Sequence, residues 1–111
     1  MSLVDEQWAF LQDVARLIQW CAEKGYTVTG GELWRTEHQQ REYMRVGLSK
    51  TMNSKHLSRL AIDLNLLIGG KLARAEDYRP LGEFWESLDG KNRWGGHFNG
   101  FVDAPHFERR V

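Results

Sequence analysis

Apolar residues recur every three or four positions from the start of the chain. Trp8, Leu11, Ala15, Ile18 and Ala22 form one row, and Phe10, Val14, Leu17 and Cys21 form a second. Both rows repeat at the helical period, so the spacing predicts a first helix wrapped on more than one side. Ser2 with Asp5 three residues on supplies a capping box at its start, and Gly25 ends it. Tyr26 to Thr29 then alternates as a short strand, Gly30-Gly31 is expected to turn, and Thr36 with Gln39 caps a second helix running to about Val46, before Gly47. Leu60 to Leu66 alternates strictly. Leu60, Ile62, Leu64 and Leu66 are expected to face a core, while Ala61, Asp63 and Asn65 share the opposite face. Gly69-Gly70 ends that strand, Pro80 to Leu88 reads as a short helix, and Trp94-Gly95-Gly96 opens a tail rich in glycine and aromatic residues. The sequence contains no linker, repeat or low-complexity segment.

Composition changes this picture little. With 111 residues and 41% hydrophobic content, residues 1–111 are expected to form one domain with a core that needs no disulfide staples. Fifteen Lys and Arg balance fifteen Asp and Glu, so no net positive field suggests a nucleic-acid or anionic-membrane partner. Cys21, the only cysteine, falls in a helical pattern and reads as a small buried apolar residue. No stretch approaches the roughly 20 apolar residues of a membrane span. Met1 to Phe10 carries Asp5 and Glu6 and lacks a basic segment followed by an apolar run, so synthesis in the cytosol without a signal peptide is expected.

The chemistry concentrates in two short stretches: Ser54-Lys55-His56 leading to Asp63, and Asp103-Ala104-Pro105-His106. A catalytic zinc takes three nitrogen or oxygen ligands from protein, leaves a position for water, and needs a base nearby for that water's proton. His56, Asp63 and His106 can fill the first role and Asp103 the second. Asp63 stands on the open face of its strand beside the small Ala61, with the room a metal ligand needs. Pro105 stiffens the segment between Asp103 and His106.

The run Ser54-Lys55-His56-Leu57-Ser58-Arg59-Leu60-Ala61-Ile62-Asp63-Leu64, then Trp94-Gly95-Gly96 and Phe101-Val102-Asp103-Ala104-Pro105-His106-Phe107-Glu108, resembles the D-alanyl-D-alanine carboxypeptidase/dipeptidase family of zinc peptidases. Within that family the likeness is nearest to the phage L-alanyl-D-glutamate endopeptidases, and it covers about residues 26 to 108. The resemblance implies an α+β fold, a small antiparallel sheet flanked by helices and shared with the zinc-binding domain of hedgehog proteins. It implies one zinc ion per chain held by His56, Asp63 and His106, with Asp103 as general base. Arg35 matches in part an upstream arginine of the family that binds substrate and steadies charge on the scissile carbonyl, a task suited to a guanidinium fork. Gln39 or Gln40 matches the glutamine that follows, and Gln39, Ser54 and His97 are expected at the substrate cleft. Arg59 stands where the family pattern has glycine, so the loop is expected to take a different backbone course. Glu108 is expected to be a hydrogen-bond partner rather than the base, His38 to be solvated, and Trp94, Phe98, Phe101 and Phe107 to be core and cleft wall.

What the resemblance implies about function is hydrolysis of a peptide bond in the stem of bacterial peptidoglycan, by a monomer that does not insert into membranes. A phage or prophage endolysin fits, reaching the wall after holin-type release. Two rivals stay open. One is a D-Ala-D-Ala carboxypeptidase or dipeptidase, and the other is a non-catalytic zinc module that binds the cell wall or serves in phage assembly.

Overall fold

The computed structural model describes residues 1–49, 52 and 54–111. The chain opens with helix α1 (Leu3–Lys24), whose start is fixed as the sequence predicts. Ser2 Oγ accepts from the Asp5 amide at 3.2 Å, and Asp5 Oδ2 accepts from the Ser2 amide at 3.1 Å. The helix buries only one of its two apolar rows. Phe10, Val14, Leu17 and Cys21 enter the core, whereas Trp8 is 62% exposed and Leu11 and Ile18 lie nearly as open. The expectation of a helix wrapped on more than one side is therefore corrected. Its two rows point about 110° apart at 3.6 residues per turn, and the rest of the chain covers only the second.

Strand β1 (Thr27–Gly30) and helix α2 (Glu37–Arg45) follow, then β2 (Ala61–Ile68), β3 (Lys71–Leu72), a 3-10 turn at Ala75–Tyr78, helix α3 (Arg79–Leu88), β4 (Asn92–Trp94), a second 3-10 turn at Gly95–His97, and β5 (His106–Arg109). Thr36 Oγ1 caps α2 through the Gln39 amide at 3.1 Å. The strands form one antiparallel sheet in the order β1-β2-β5-β4, with β3 folded back on β2. Gly69 and Gly70 make that hairpin, both with positive φ, as a two-residue turn between twisted strands requires. Gly30-Gly31 does not turn the chain. Gly30 pairs with Leu64 as the last residue of β1, and the Gly31 amide donates to the Asp63 carbonyl at 2.8 Å.

Alternation along β2 gives the sheet two unlike faces. Leu60, Leu64 and Leu66 are buried on one side, with Ile62 packed against them. There, with Phe107 of β5, they meet α1 and α3 through Phe10, Leu81 and Trp85, and Trp85 lies edge-on to both phenyl rings. The Trp85 indole N–H is satisfied by the carbonyls of Arg93 and Glu108 at 3.2 and 3.0 Å, which ties α3 to β4 and β5. Cys21 is buried here, and burial pushes its thiol up to about 11. The other face of the sheet carries Ala61, Asp63, His106, Glu108 and Arg93. Among the described residues no helix is long and apolar enough to cross a membrane.

Candidate active site

β2 and β5 pair so that Asp63 lies directly opposite His106 on the open face. His56 is brought to them by the turn before β2, where the Leu57, Ser58, Arg59 and Leu60 amides bond back to carbonyls of Ser54, Lys55 and His56. Arg59 takes φ 58° in that turn, a conformation glycine adopts freely. Arg59 thus holds a left-handed position of the kind that favours glycine, with its guanidinium 4.7 Å over the Trp34 ring.

His56, Asp63 and His106 each offer one ligand atom, and these atoms lie within 4.8 Å of one another. The outer nitrogen of each ring is already committed. His56 Nδ1 donates to the Leu33 carbonyl at 3.0 Å, and His106 Nε2 meets Glu108 Oε1 at 2.8 Å, so His56 Nε2 and His106 Nδ1 turn inward. Both lie 3.4 Å from Asp63 Oδ1, which is buried and has no hydrogen-bond partner. A buried carboxylate oxygen left without a hydrogen bond is costly, and a cation between it and the two imidazoles removes that cost. The residues therefore fit a metal ion, with the outer contacts orienting each ring as metal-bound histidines require. The three side chains are also coupled through their charges. Burial opposes ionisation of Asp63, yet the two histidines hold its carboxyl down at about 2. Burial likewise works against charge on His106, but Asp63 and Glu108 push that imidazole up to about 9.

Asp103 stands beside this group without belonging to it. Its Oδ2 is 3.8 Å from His106 Nδ1, and burial raises its carboxyl above the ordinary value, the Asp63 charge adding to the effect against the pull of His106. Its backbone is fixed by Gly95, whose carbonyl accepts the Asp103 amide at 3.0 Å. A Cβ on Gly95 would fall 2.0 Å from the Asp103 carbonyl oxygen, so this close approach needs glycine.

Arg35 reaches the same cleft from the segment before α2. Glu32 grips its guanidinium, Gln40 Oε1 accepts from Nη1 at 2.6 Å, Ser54 Oγ at 3.3 Å, and the Tyr43 ring lies 4.6 Å beneath it. The cleft, about 450 Å³, is lined by Arg35, Ser54, Asp103, the three candidate ligands, and a wall of Phe98 and Phe101. Trp94 and Phe107 are buried in the core instead, and His38 is exposed.

Two expected cleft residues lie elsewhere. Gln39 is exposed on α2, where its Nε2 donates to Tyr43 Oη at 2.8 Å. Neighbouring helix positions point about 100° apart, so only one of the two glutamines faces inward, and it is the buried Gln40. His97 lines an adjoining cavity, its Nδ1 3.0 Å from Glu86 Oε1. Glu32, Tyr43 and the Leu33 carbonyl were not foreseen. A carboxylate three residues before Arg35 was a signal for the first, whereas a backbone carbonyl leaves none.

Residues 48–109 match the family described as D-alanyl-D-alanine carboxypeptidase. The chain is 33% identical over 98 residues to an L-alanyl-D-glutamate peptidase of Listeria phage A118, an alignment covering 84% of this chain and 34% of the relative. It thus spans about a third of that protein's length. The crystal structure of the Serratia marcescens L-Ala D-Glu endopeptidase ChiX superposes with a TM-score of 0.71 at 25% identity, covering 88% of this chain and 78% of that one.

Proposed function

The chain belongs to the D-alanyl-D-alanine carboxypeptidase family, and from that membership we propose that it is a zinc peptidase that hydrolyses the L-alanyl-D-glutamate bond of the peptidoglycan stem peptide. The observation that carries the reading is the buried, unpartnered Asp63 oxygen facing two inward-turned histidine nitrogens, with a separate carboxylate, Asp103, at its edge. The choice of bond rests on the likeness to the Listeria phage and Serratia peptidases.

In this reading His56, Asp63 and His106 hold one zinc ion. Zinc bound there supplies a Lewis acid for the peptide carbonyl and lowers the pKa of a bound water towards about 7. The protein's own groups do the rest. Asp103, its proton affinity raised by burial, takes the proton of the attacking water and returns it to the leaving amine. Arg35 presents a guanidinium braced by Glu32, Gln40 and Ser54, so the one N–H left over, on Nη2, can meet the charge that develops on the carbonyl oxygen. Phe98 and Phe101 form an apolar wall of the cleft. A lytic role in a phage or prophage completes the proposal, with access to the wall through a holin-type opening, by analogy with the Listeria phage relative.

The family's description favours one rival, removal of terminal D-alanine. Incubating purified protein with peptidoglycan and identifying the new ends by mass spectrometry separates the two. New L-alanine carboxyl and D-glutamate amino ends are expected. Release of D-alanine or of the D-alanyl dipeptide would replace this reading with the carboxypeptidase or dipeptidase, and no cleavage under any metal condition would favour a binding module.

A further inference from the structure

The open face of the sheet continues past the candidate metal ligands. Asp63 and His106 form one cross-strand row, and two residues along the strands Ala61, Glu108 and Arg93 form the next, spanning β2, β5 and β4. Residues two apart share a face, so Arg93 stands diagonal to His106, a relation that places neighbours roughly 7–8 Å apart. A cavity of about 590 Å³ opens there between Arg93, His97 and Arg110. It shares Phe98, Phe101 and Glu108 with the cleft that holds His56, Asp63 and His106, so the two hollows adjoin across one wall.

The carboxylates in this second cavity are occupied. Glu86 accepts from the Trp94 amide at 2.9 Å and meets His97 Nδ1 at 3.0 Å, while Glu108 meets His106 at 2.8 Å and Arg110 at 3.1 Å. Arg93 differs. Among the described residues its guanidinium makes one hydrogen bond, from Nη1 to the carbonyl of the preceding Asn92 at 3.0 Å, and no carboxylate pairs with it. Glu108, directly opposite, already has both oxygens engaged. An exposed arginine fork on a strand, with no carboxylate in ion-pair contact among the described residues and in a hollow beside the candidate metal site, suits a planar anion approached from solvent.

We propose that Arg93, with Arg110 beside it, forms an anion subsite that receives a carboxylate of the peptide substrate while the scissile bond lies at the His56–Asp63–His106 group. The proposal rests on the peptide-hydrolysis reading above and deepens it. Apart from its terminal carboxylate, which lies farther along the peptide from the scissile bond, a stem peptide can present such a group from two places, the α-carboxylate of D-glutamate or the side-chain carboxylate of a diamino-diacid in the third position. Arg93 is then a specificity residue. It favours peptides in which that carboxylate is free over those in which it is amidated or absent.

The test measures binding by calorimetry with tetrapeptides N-methylated at the scissile bond. One arm compares D-glutamate with D-isoglutamine in the second position, and the other compares diaminopimelate with lysine in the third. The wild-type chain is expected to bind the carboxylate peptide of one arm about three- to tenfold more tightly than its counterpart. In Arg93→Gln that ratio should fall to near one, and Arg93→Lys should retain part of it. A preference that survives Arg93→Gln unchanged, or no preference in either arm, overturns the subsite. Binding is read without cleavage, so a protein that shows the Arg93-dependent preference yet leaves unmodified peptides intact supports the subsite while contradicting the peptidase reading.

Discussion

Arg59 holds a left-handed backbone that costs an ordinary L-residue about 1–2 kcal/mol, and it keeps its place with a guanidinium stacked on Trp34. At an exposed site that stacking is worth about 0.5–1 kcal/mol. Arg59→Ala keeps the strain and loses the contact, so it should destabilise by about 0.5–1 kcal/mol in denaturant unfolding. Arg59→Gly loses the contact and releases the strain, against the roughly 0.5–1 kcal/mol of extra chain freedom glycine has when unfolded. It should fall within about 0.5 kcal/mol of wild type. At this scale the sequence was most readable where chemistry demands a residue type. The order and spacing of His56, Asp63, Asp103 and His106 marked the site because few other arrangements call for two imidazoles and two carboxylates. The groups that aim them were less visible. His56 is oriented by a main-chain carbonyl, which any residue at position 33 would supply.

Helix α2 shows what an element adds. It delivers Gln40 to Arg35 and leaves Gln39 outside. Gln40→Ala should therefore lower kcat/KM on a stem peptide by about tenfold or more through a displaced Arg35, with metal content unchanged, whereas Gln39→Ala should stay near wild type. Steady-state kinetics with metal analysis on both variants checks this. Helix α1 is held to the sheet by charge as well as by its apolar row. Glu6, buried on its inner face, meets Arg109 Nε at 2.8 Å and Lys91 Nζ at 2.7 Å. Lys91 and Arg109 hold the Glu6 carboxyl below its usual range. A carboxyl whose folded pKa is depressed adds stability above its unfolded value, near 4.3, and loses it as pH falls through the folded value. Glu6→Gln should lower the thermal midpoint at pH 7, and the gap to wild type should close as pH drops below about 4. Helices α1, α2 and α3 were legible from period and caps. β4 and β5 were not, because three or four residues set among glycines and aromatics carry too little alternation, and β5 is buried on both faces. Which row of α1 entered the core was also hidden, since both rows have the same period.

Taken whole, the molecule separates its duties by the two faces of one sheet. α1, α3 and the inward residues of β2 and β5 form the core, and the outward residues of the same strands carry two of the three candidate metal ligands, Asp63 and His106. Sheet register therefore transmits the packing of Leu64 and Phe107 to the spacing of Asp63 and His106. The α+β class and the antiparallel sheet followed from the motif resemblance, whereas the strand order, with β5 between β2 and β4, depends on long-range pairing that no local pattern encodes. The central claim is that the two carboxylates in the cleft do different work: Asp63 holds the metal and Asp103 moves the proton. The most direct test measures zinc content and hydrolysis of an L-alanyl-D-glutamyl stem peptide on the same preparations of wild type, Asp63→Ala and Asp103→Ala. Asp63→Ala should be poor in zinc and less stable, because metal binding is coupled to the folded state. Asp103→Ala should keep its zinc and lose about 10²–10⁴ in turnover. An Asp103→Ala protein with near-normal turnover, or an Asp63→Ala protein with full zinc, would contradict the account.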